Sequence, residues 1–136
     1  MTETQTIPRT LANRLLTLAQ HAPEAEVCGL ISINAQGQHR VYPVDNIAED
    51  AGCVFEMEPQ QQISAFKNMR DAQESIFAIY HSHPHSDAIP SIKDINEAAY
   101  TDALNIIISL NTKGVLDMRG YFYTDEKTIS VDLVID

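Results

Sequence analysis

Residues 79–94 read IYHSHPHSDAIPSIKD, and they hold three of the five histidines of the chain together with two aspartates. They directly follow the apolar, β-prone run at 75–80, which is typical of a sheet strand covered on both faces. Histidine and aspartate side chains packed this densely beside a buried strand need hydrogen-bond partners or a metal ion to offset the cost of leaving water. We therefore interpret residues 79–94 as a metal site at the end of a central strand.

The first part of this site is a pair of histidines separated by one residue. On a strand, the side chains of His81 and His83 leave the same face, with their Cα atoms roughly 6.5 Å apart. Two imidazoles in this arrangement can bind one ion at about 2.0–2.1 Å each. Pro84 then ends the strand. On this motif alone, the alternative of two histidines at the surface or at the edge of the core stays open.

A serine and an aspartate further along extend the pattern. Ser91 precedes a helical pattern, so its side chain is suited to cap that helix, and the helix dipole favours the acid of Asp94 in the first turn. The same position at a helix start directs Asp94 towards the histidines as a third metal ligand. Two histidines and one carboxylate leave a fourth tetrahedral position for water, as in catalytic zinc sites. The capping and ligand roles are compatible.

A zinc hydrolase also needs a base that takes the proton of the water. Asp87 is close in sequence, but we expect it to face solvent. Glu26, which leads into the apolar strand at 27–33, is the better candidate. Its other interpretation is a solvated strand end, and the residues alone do not decide between the two.

The remaining histidines and the cysteines are not expected to carry chemistry. We expect His21 and His39 at the surface and His85 solvated beside the site, with a contact of His85 or Asp87 to substrate left open. Cys28 and Cys53 form no CxxC pair and are interpreted as small core residues in a reducing compartment, with a disulfide between them left open.

The apolar periodicity predicts helices over 8–20, 58–73 and 92–103, the second with Ile63, Phe66 and Met69 on its inner face. It predicts strands at 27–33, 39–44, 75–80, 105–110, 117–123 and 128–135, with a short extended segment at 53–57. The turns are placed at 34–37, which joins the first two strands as a hairpin, and at 111–114. Interleaved helices and strands indicate one α/β domain over 1–136, a three-layer sandwich with a central mixed sheet flanked by helices.

Composition excludes several classes of partner. The chain has 136 residues, 44% of them hydrophobic, which suits one domain with a real core. A formal net charge of −10 opposes binding to nucleic acid or to anionic membranes. No stretch approaches the roughly 20 apolar residues that span a bilayer, and the start MTETQTIPRT lacks the order of a signal peptide. We expect a cytoplasmic protein that binds neither nucleic acid nor membrane, and a homodimer is left open.

Taken together, Glu26, the run His81-Ser82-His83-Pro84, Ser91 and Asp94 resemble the JAMM motif of the MPN+ (Mov34/PAD-1) metallopeptidases. The spacing H-x-H-x(7)-S-x(2)-D is matched without a gap or substitution, and an upstream Glu-x-Cys-Gly accompanies it. The likeness covers most of the chain, because residues 46–55, the helix opening at 58–59 and the run IIISL also resemble the short bacterial members.

This resemblance implies an MPN (cytidine-deaminase-like) fold and one zinc ion per chain. By it, His81, His83 and Asp94 are the zinc ligands, Glu26 is the general acid/base, and Ser91 steadies the oxyanion. It further implies a zinc-dependent peptidase or isopeptidase that cuts after the C-terminal Gly-Gly of a ubiquitin-like or sulfur-carrier protein.

Two other functions compete with this one. A non-catalytic MPN scaffold or interaction module would be expected to have lost one or more ligands, and this chain keeps all three. A zinc deaminase would need a Pro-Cys-x-x-Cys for its ligands, and the sequence contains none.

Overall fold

A seven-stranded mixed sheet organises the computed structural model, which describes residues 3–96, 103–111, 117–124 and 127–136. The elements in chain order are β1 (Glu3–Ile7), α1 (Arg9–Gln20), β2 (Cys28–Ile33), β3 (His39–Val44), α2 (Pro59–Asp71), β4 (Ser75–His83), α3 (Ile92–Asn96), β5 (Leu104–Ser109), β6 (Asp117–Tyr123) and β7 (Thr128–Ile135). The strands lie in the order β1-β7-β6-β5-β4-β2-β3. The β1/β7 and β4/β5 pairs are parallel, and the other pairs are antiparallel.

The two longer helices cover opposite faces of this sheet. Successive strand residues point to opposite faces, so Ile31 packs with Leu15 of α1 while its neighbour Leu30 packs with Met69 of α2. The predicted three-layer α/β sandwich with a mixed central sheet is therefore confirmed. None of the described helices has the length and apolar character needed to cross a membrane.

Helix α2 begins where the sequence predicts, but its buried face differs. The Glu58 carboxylate accepts hydrogen bonds from the backbone N–H groups of Gln60 (3.2 Å) and Gln61 (2.7 Å), which caps the helix. Ala65 is buried one turn before Met69, whereas Ile63 is 61% exposed. The placement of Ile63 on the inner face was wrong, because at 3.6 residues per turn it lies about 200° around the helix from Ala65.

The sequence does not predict strand β1. Its segment ETQTI is polar, and only Ile7 is fully buried. β1 lies at the edge of the sheet and pairs with β7 alone, in the register Glu3↔Val131 to Ile7↔Ile135. Because an edge strand with one solvated face needs few apolar residues, hydrophobic alternation does not reveal it.

Several boundaries also differ from the predicted ones. Strand β4 extends beyond the apolar run at 75–80 and ends at His83, just before Pro84, where the proline is predicted to end it. The segment predicted as extended at 53–57 forms only an isolated bridge between Asn46 and Met57. The predicted third helix is observed over Ile92–Asn96, and its continuation to 97–102 lies outside the described residues. Most of the predicted turn at 111–114 lies outside them as well.

Candidate metal centre

The start of β2 lies beside the end of β4, because these two strands are antiparallel neighbours. Cys28 pairs with His81 across the two strands. The next pair of residues is also bonded: the Ser82 amide donates to the Val27 carbonyl (3.0 Å), and the Val27 amide donates to Ser82 Oγ (2.9 Å). This pairing brings Glu26, which precedes Val27, up to the histidines although more than fifty residues separate them in sequence.

Three side-chain atoms at the end of β4 form a nearly equilateral triangle. His81 Nε2 and His83 Nε2 are 3.1 Å apart, and Asp94 Oδ2 lies 3.2 Å from the first and 3.1 Å from the second. Ligand atoms about 2.05 Å from a tetrahedral zinc ion would be about 3.3 Å from one another. The triangle therefore has nearly the dimensions of three tetrahedral ligand positions.

The hydrogen bonds around His83 also suit a metal ligand. His83 Nδ1 lies 2.7 Å from the Asp87 carbonyl oxygen, which can only accept, so Nδ1 carries the proton. In the neutral ring, Nε2 then presents a lone pair towards His81 and Asp94. A metal-bound histidine characteristically has its second nitrogen bonded in this way. The donor set, two imidazoles and a carboxylate, is one that zinc accepts, so these residues fit a bound metal ion.

Glu26 completes a group of four, whose candidate ligand atoms all lie within 4.8 Å of one another. Its side chain is only 4% exposed, and Oε1 has no hydrogen-bond partner among the described residues. Burial raises the pKa of Glu26 from 4.5 to about 8, an effect that the nearby His83 only partly offsets. Without a metal ion, the carboxyl group is thus mostly protonated at neutral pH.

Ser91 and Asp94 bind each other at the start of α3. The Asp94 amide donates to Ser91 Oγ (3.0 Å), and the Ser91 amide donates to Asp94 Oδ2 (2.9 Å), which is a reciprocal capping pair. Burial would raise the pKa of Asp94, but the bonds to His81 and His83 and the Ser91 amide outweigh it and hold this pKa well below its usual value. The Ser91 hydroxyl accepts in this pair, and its own proton remains available to donate.

The histidines and the aspartate that the sequence analysis places outside the chemistry differ in exposure. His21 is exposed, and His85 is exposed with its Nε2 3.5 Å from a carboxylate oxygen of Glu24. The Asp87 side chain also faces solvent, although its backbone carbonyl holds His83. The prediction that His39 lies at the surface was wrong. The residue is half-buried, and its ring packs edge-on against the Phe77 ring of β4, with the two ring centroids 4.4 Å apart.

Both cysteines are free, and they differ in exposure. Cys28 is buried in the core, its thiol donates to the Val44 carbonyl (3.4 Å), and burial raises its pKa to about 12. Cys53 is exposed, so its interpretation as a core residue was wrong. It lies in the irregular segment that follows β3.

Sequence reasoning missed two residues that support the site. The Phe55 ring stacks on the His81 ring, with centroids 4.5 Å apart and an interplanar angle of 26°. Asn46 donates from Nδ2 to the Glu26 carbonyl (3.0 Å) and thereby ties the irregular segment 45–57 to the start of β2. Neither contact follows from a local pattern, since both join residues that are at least twenty positions apart.

Comparison with known proteins agrees with this geometry. Residues 8–120 match the family described as prokaryotic homologs of the JAB domain. The chain is 32% identical over 89 residues to the desampylase of Haloferax volcanii, an alignment that covers 64% of each protein. It is 27% identical over 117 residues to the CysO-cysteine peptidase of Mycobacterium tuberculosis, covering 85% of this chain and 80% of the peptidase.

Solved structures share the whole fold. Protein DSY2949 from Desulfitobacterium hafniense superposes with a TM-score of 0.84 at 26% identity, covering 96% of this chain and 92% of that one. AF2198, a JAB1/MPN domain protein from Archaeoglobus fulgidus, superposes with a TM-score of 0.61 over 96% of this chain and 99% of its own. At 16% identity the second likeness is one of fold alone. The chain therefore belongs to the family of prokaryotic homologs of the JAB domain, the JAMM/MPN+ family whose motif its residues match.

Proposed function

We propose that this protein is a zinc-dependent peptidase or isopeptidase that hydrolyses the bond after the C-terminal Gly-Gly of a ubiquitin-like or sulfur-carrier protein. The observation that carries the proposal is the triangle of His81 Nε2, His83 Nε2 and Asp94 Oδ2 with the buried Glu26 carboxyl group beside it. The relatives named desampylase and CysO-cysteine peptidase support this class of substrate.

In this proposal, His81, His83 and Asp94 hold one zinc ion. When bound, zinc supplies a Lewis acid that polarises a carbonyl group and lowers the pKa of water towards 7. Glu26 moves the proton: its buried carboxylate can accept a proton from water and return it to the leaving amine. The Ser91 hydroxyl donates to the oxygen that becomes negative in the tetrahedral state.

A protein substrate fits the surroundings of the site. Ile89 and Ile92, on either side of Ser91, are 55% and 78% exposed. Exposed large apolar side chains grouped beside a candidate site are typical of protein contact surfaces. An extended Gly-Gly tail has no side chains, so it suits a site whose reactive groups are themselves buried.

The test combines metal content with cleavage. The purified protein is expected to carry about one zinc per chain and to release the segment that follows Gly-Gly from an extended ubiquitin-like carrier, as read by mass spectrometry. A chelator should stop the reaction, and added zinc should restore it. Bound zinc without cleavage of any Gly-Gly carrier, ubiquitin adduct or Gly-Gly peptide would favour the non-catalytic scaffold instead.

A pair of matched variants tests the role of Glu26. Glu26→Gln should keep the zinc and lose at least about 100-fold in hydrolysis, because a neutral amide cannot accept the proton. Glu24→Gln makes the same change two residues upstream, on a side chain that is 85% exposed, and should retain activity. Unchanged turnover of Glu26→Gln would remove Glu26 from the mechanism.

A further inference from the structure

The loop that follows His83 is held by three side chains at three successive carbonyl groups. In segment 86–88, the first carbonyl accepts from Ser109 Oγ (2.7 Å), the second from His83 Nδ1 (2.7 Å) and the third from the Tyr121 hydroxyl (2.6 Å). The middle bond orients the histidine, and the outer two come from the sheet. Side chains of β5 and β6 thus hold the carbonyl groups on both sides of the acceptor for His83, which itself also accepts from the Ile89 amide (2.8 Å).

Both outer donors are rigidly placed. Ser109 and Tyr121 are buried on paired strands, and Ala88, whose carbonyl Tyr121 binds, is fully buried. Ser109 Oγ also accepts from the Asn111 amide (3.0 Å), so its single proton is committed to segment 86–88. Segment 86–88 is neither helical nor part of a strand, so these side-chain bonds take the place of the backbone hydrogen bonds that fix carbonyl groups in a helix or sheet.

We propose that Tyr121 and Ser109 are positioning residues for His83. By holding segment 86–88, they keep the proton of His83 on Nδ1 and direct the lone pair of Nε2 to the metal position. The inference rests on the proposed function, because the direction of this lone pair matters for a bound ion. Loss of such a supporting hydrogen bond typically weakens metal affinity by about 10–100-fold.

The chain offers a matched control for Tyr121. Tyr123 lies two residues further along β6, on the same face and in the same buried cluster, but its hydroxyl has no hydrogen-bond partner in the described part of the chain. Tyr121→Phe and Tyr123→Phe therefore each remove one hydroxyl group from the same cluster, and the second also controls for a change near the charge of Asp94. Only the first frees a carbonyl of segment 86–88.

The experiment is a zinc titration against a chromophoric chelator, at a temperature well below unfolding. Tyr121→Phe should bind zinc roughly 10–100-fold more weakly than the wild type, and Tyr123→Phe should differ by no more than about 3-fold. Ser109→Ala, a second route to the same loop, should resemble Tyr121→Phe. Wild-type affinity in Tyr121→Phe, or equal losses in both tyrosine variants, would overturn the inference.

A measurement on metal-free protein separates this inference from the proposed function. Long-range ¹⁵N–¹H spectra report which ring nitrogen of His83 carries the proton. The wild type and Tyr123→Phe should show Nδ1–H, and Tyr121→Phe should show a mixture of both tautomers. An unchanged His83 signal in Tyr121→Phe would refute the positioning role even in a protein that binds no zinc, whereas failure of the proposed function would show as a wild type without zinc or cleavage.

Discussion

Glu26 is the residue at which stability and chemistry conflict most directly. Its carboxyl group is almost completely buried, yet Oε1 finds no partner among the described residues. Such a group is costly when it is ionised, and the protein retains it beside three candidate metal ligands. A carboxyl group with a raised pKa inside a cluster of this kind is characteristic of a site that transfers protons.

This cost should be measurable as a dependence of stability on pH in the metal-free protein. Because burial raises the pKa of Glu26 from 4.5 to about 8, the folded state favours the protonated form. Its favourable contribution is complete below pH 4.5 and is lost as the pH rises towards 8. Glu26→Gln cannot ionise, so its free energy of unfolding should rise relative to that of the wild type by on the order of 4 kcal/mol between pH 4.5 and pH 8.5.

Urea unfolding of both proteins in the presence of a chelator, at several pH values, would measure this difference. Glu24→Gln is again the control, and its free energy of unfolding should follow the wild type at every pH. A difference between Glu26→Gln and the wild type that does not change with pH would show that the carboxyl group ionises as easily in the folded chain as in the unfolded one.

The two cysteines allow a second prediction for single residues. Cys53 is exposed, although the charge of Asp50 raises the pKa of its thiol, whereas Cys28 is buried and its pKa is raised to about 12. Since the thiolate is the reactive form, a thiol reagent should modify one cysteine per native chain within minutes and the second only after denaturation. Mass spectrometry of the labelled peptide should identify Cys53. Slow or absent labelling of both thiols in the native, reduced protein would contradict the observed exposure.

Among the elements, the irregular segment 45–57 depends on one asparagine. Asn46 Nδ2 donates to the carbonyl groups of Glu26 and Val54, both at 3.0 Å, and its Oδ1 accepts from the amides of Ala48 and Glu56, both at 3.0 Å. The side chain thus supplies bonds that a strand partner would otherwise make. The same segment carries Phe55, whose ring stacks on His81.

Replacing this asparagine should loosen the segment. Asn46→Ala leaves several backbone groups without partners and is expected to lower the free energy of unfolding by roughly 2–4 kcal/mol. Limited proteolysis should show faster cleavage within 45–57. Asn34→Ala is the matched control, because Asn34 Oδ1 also accepts from two amides but in the exposed turn between β2 and β3, where water can replace it. Equal losses in the two variants would contradict the supporting role.

Most elements could be predicted from the sequence, because their apolar residues follow the period of a helix or strand. The hairpin of β2 and β3, the His-x-His at the end of β4 and the last two strands follow from such local patterns. Asn46, Phe55 and Tyr121 could not be found in this way, since their contacts join separate elements. The exposed Ile63 and the missed β1 show the same limit, because a local pattern does not say which face a second layer will cover.

At the scale of the whole molecule, the middle of the sheet and its β1 edge have different roles. The β2 and β4 strands carry the candidate metal centre, and β5 and β6 supply the side chains that hold its loop. The β1 edge joins the first and last strands of the chain in parallel. This pairing continues past the strands, where the Asp136 amide donates to the Ile7 carbonyl (3.1 Å) and the Arg9 amide donates to the Asp136 carbonyl (3.0 Å).

Strand β1, which sequence patterns do not reveal, should therefore contribute to the free energy of unfolding of the whole domain. Ile7 is fully buried in the main hydrophobic cluster, where it packs with α1 and the sheet. Ile7→Ala is expected to lower the free energy of unfolding by roughly 2–5 kcal/mol, because the removed atoms leave a cavity. Ile63→Ala makes the same change on an exposed face of α2 and should alter it by less than about 0.5 kcal/mol. Chemical denaturation measures both. If the two variants unfold at the same denaturant concentration, β1 is not an integral strand of the sheet. If only Ile7→Ala is destabilised, and its folded form binds zinc as the wild type does, then β1 stabilises the fold without shaping the site.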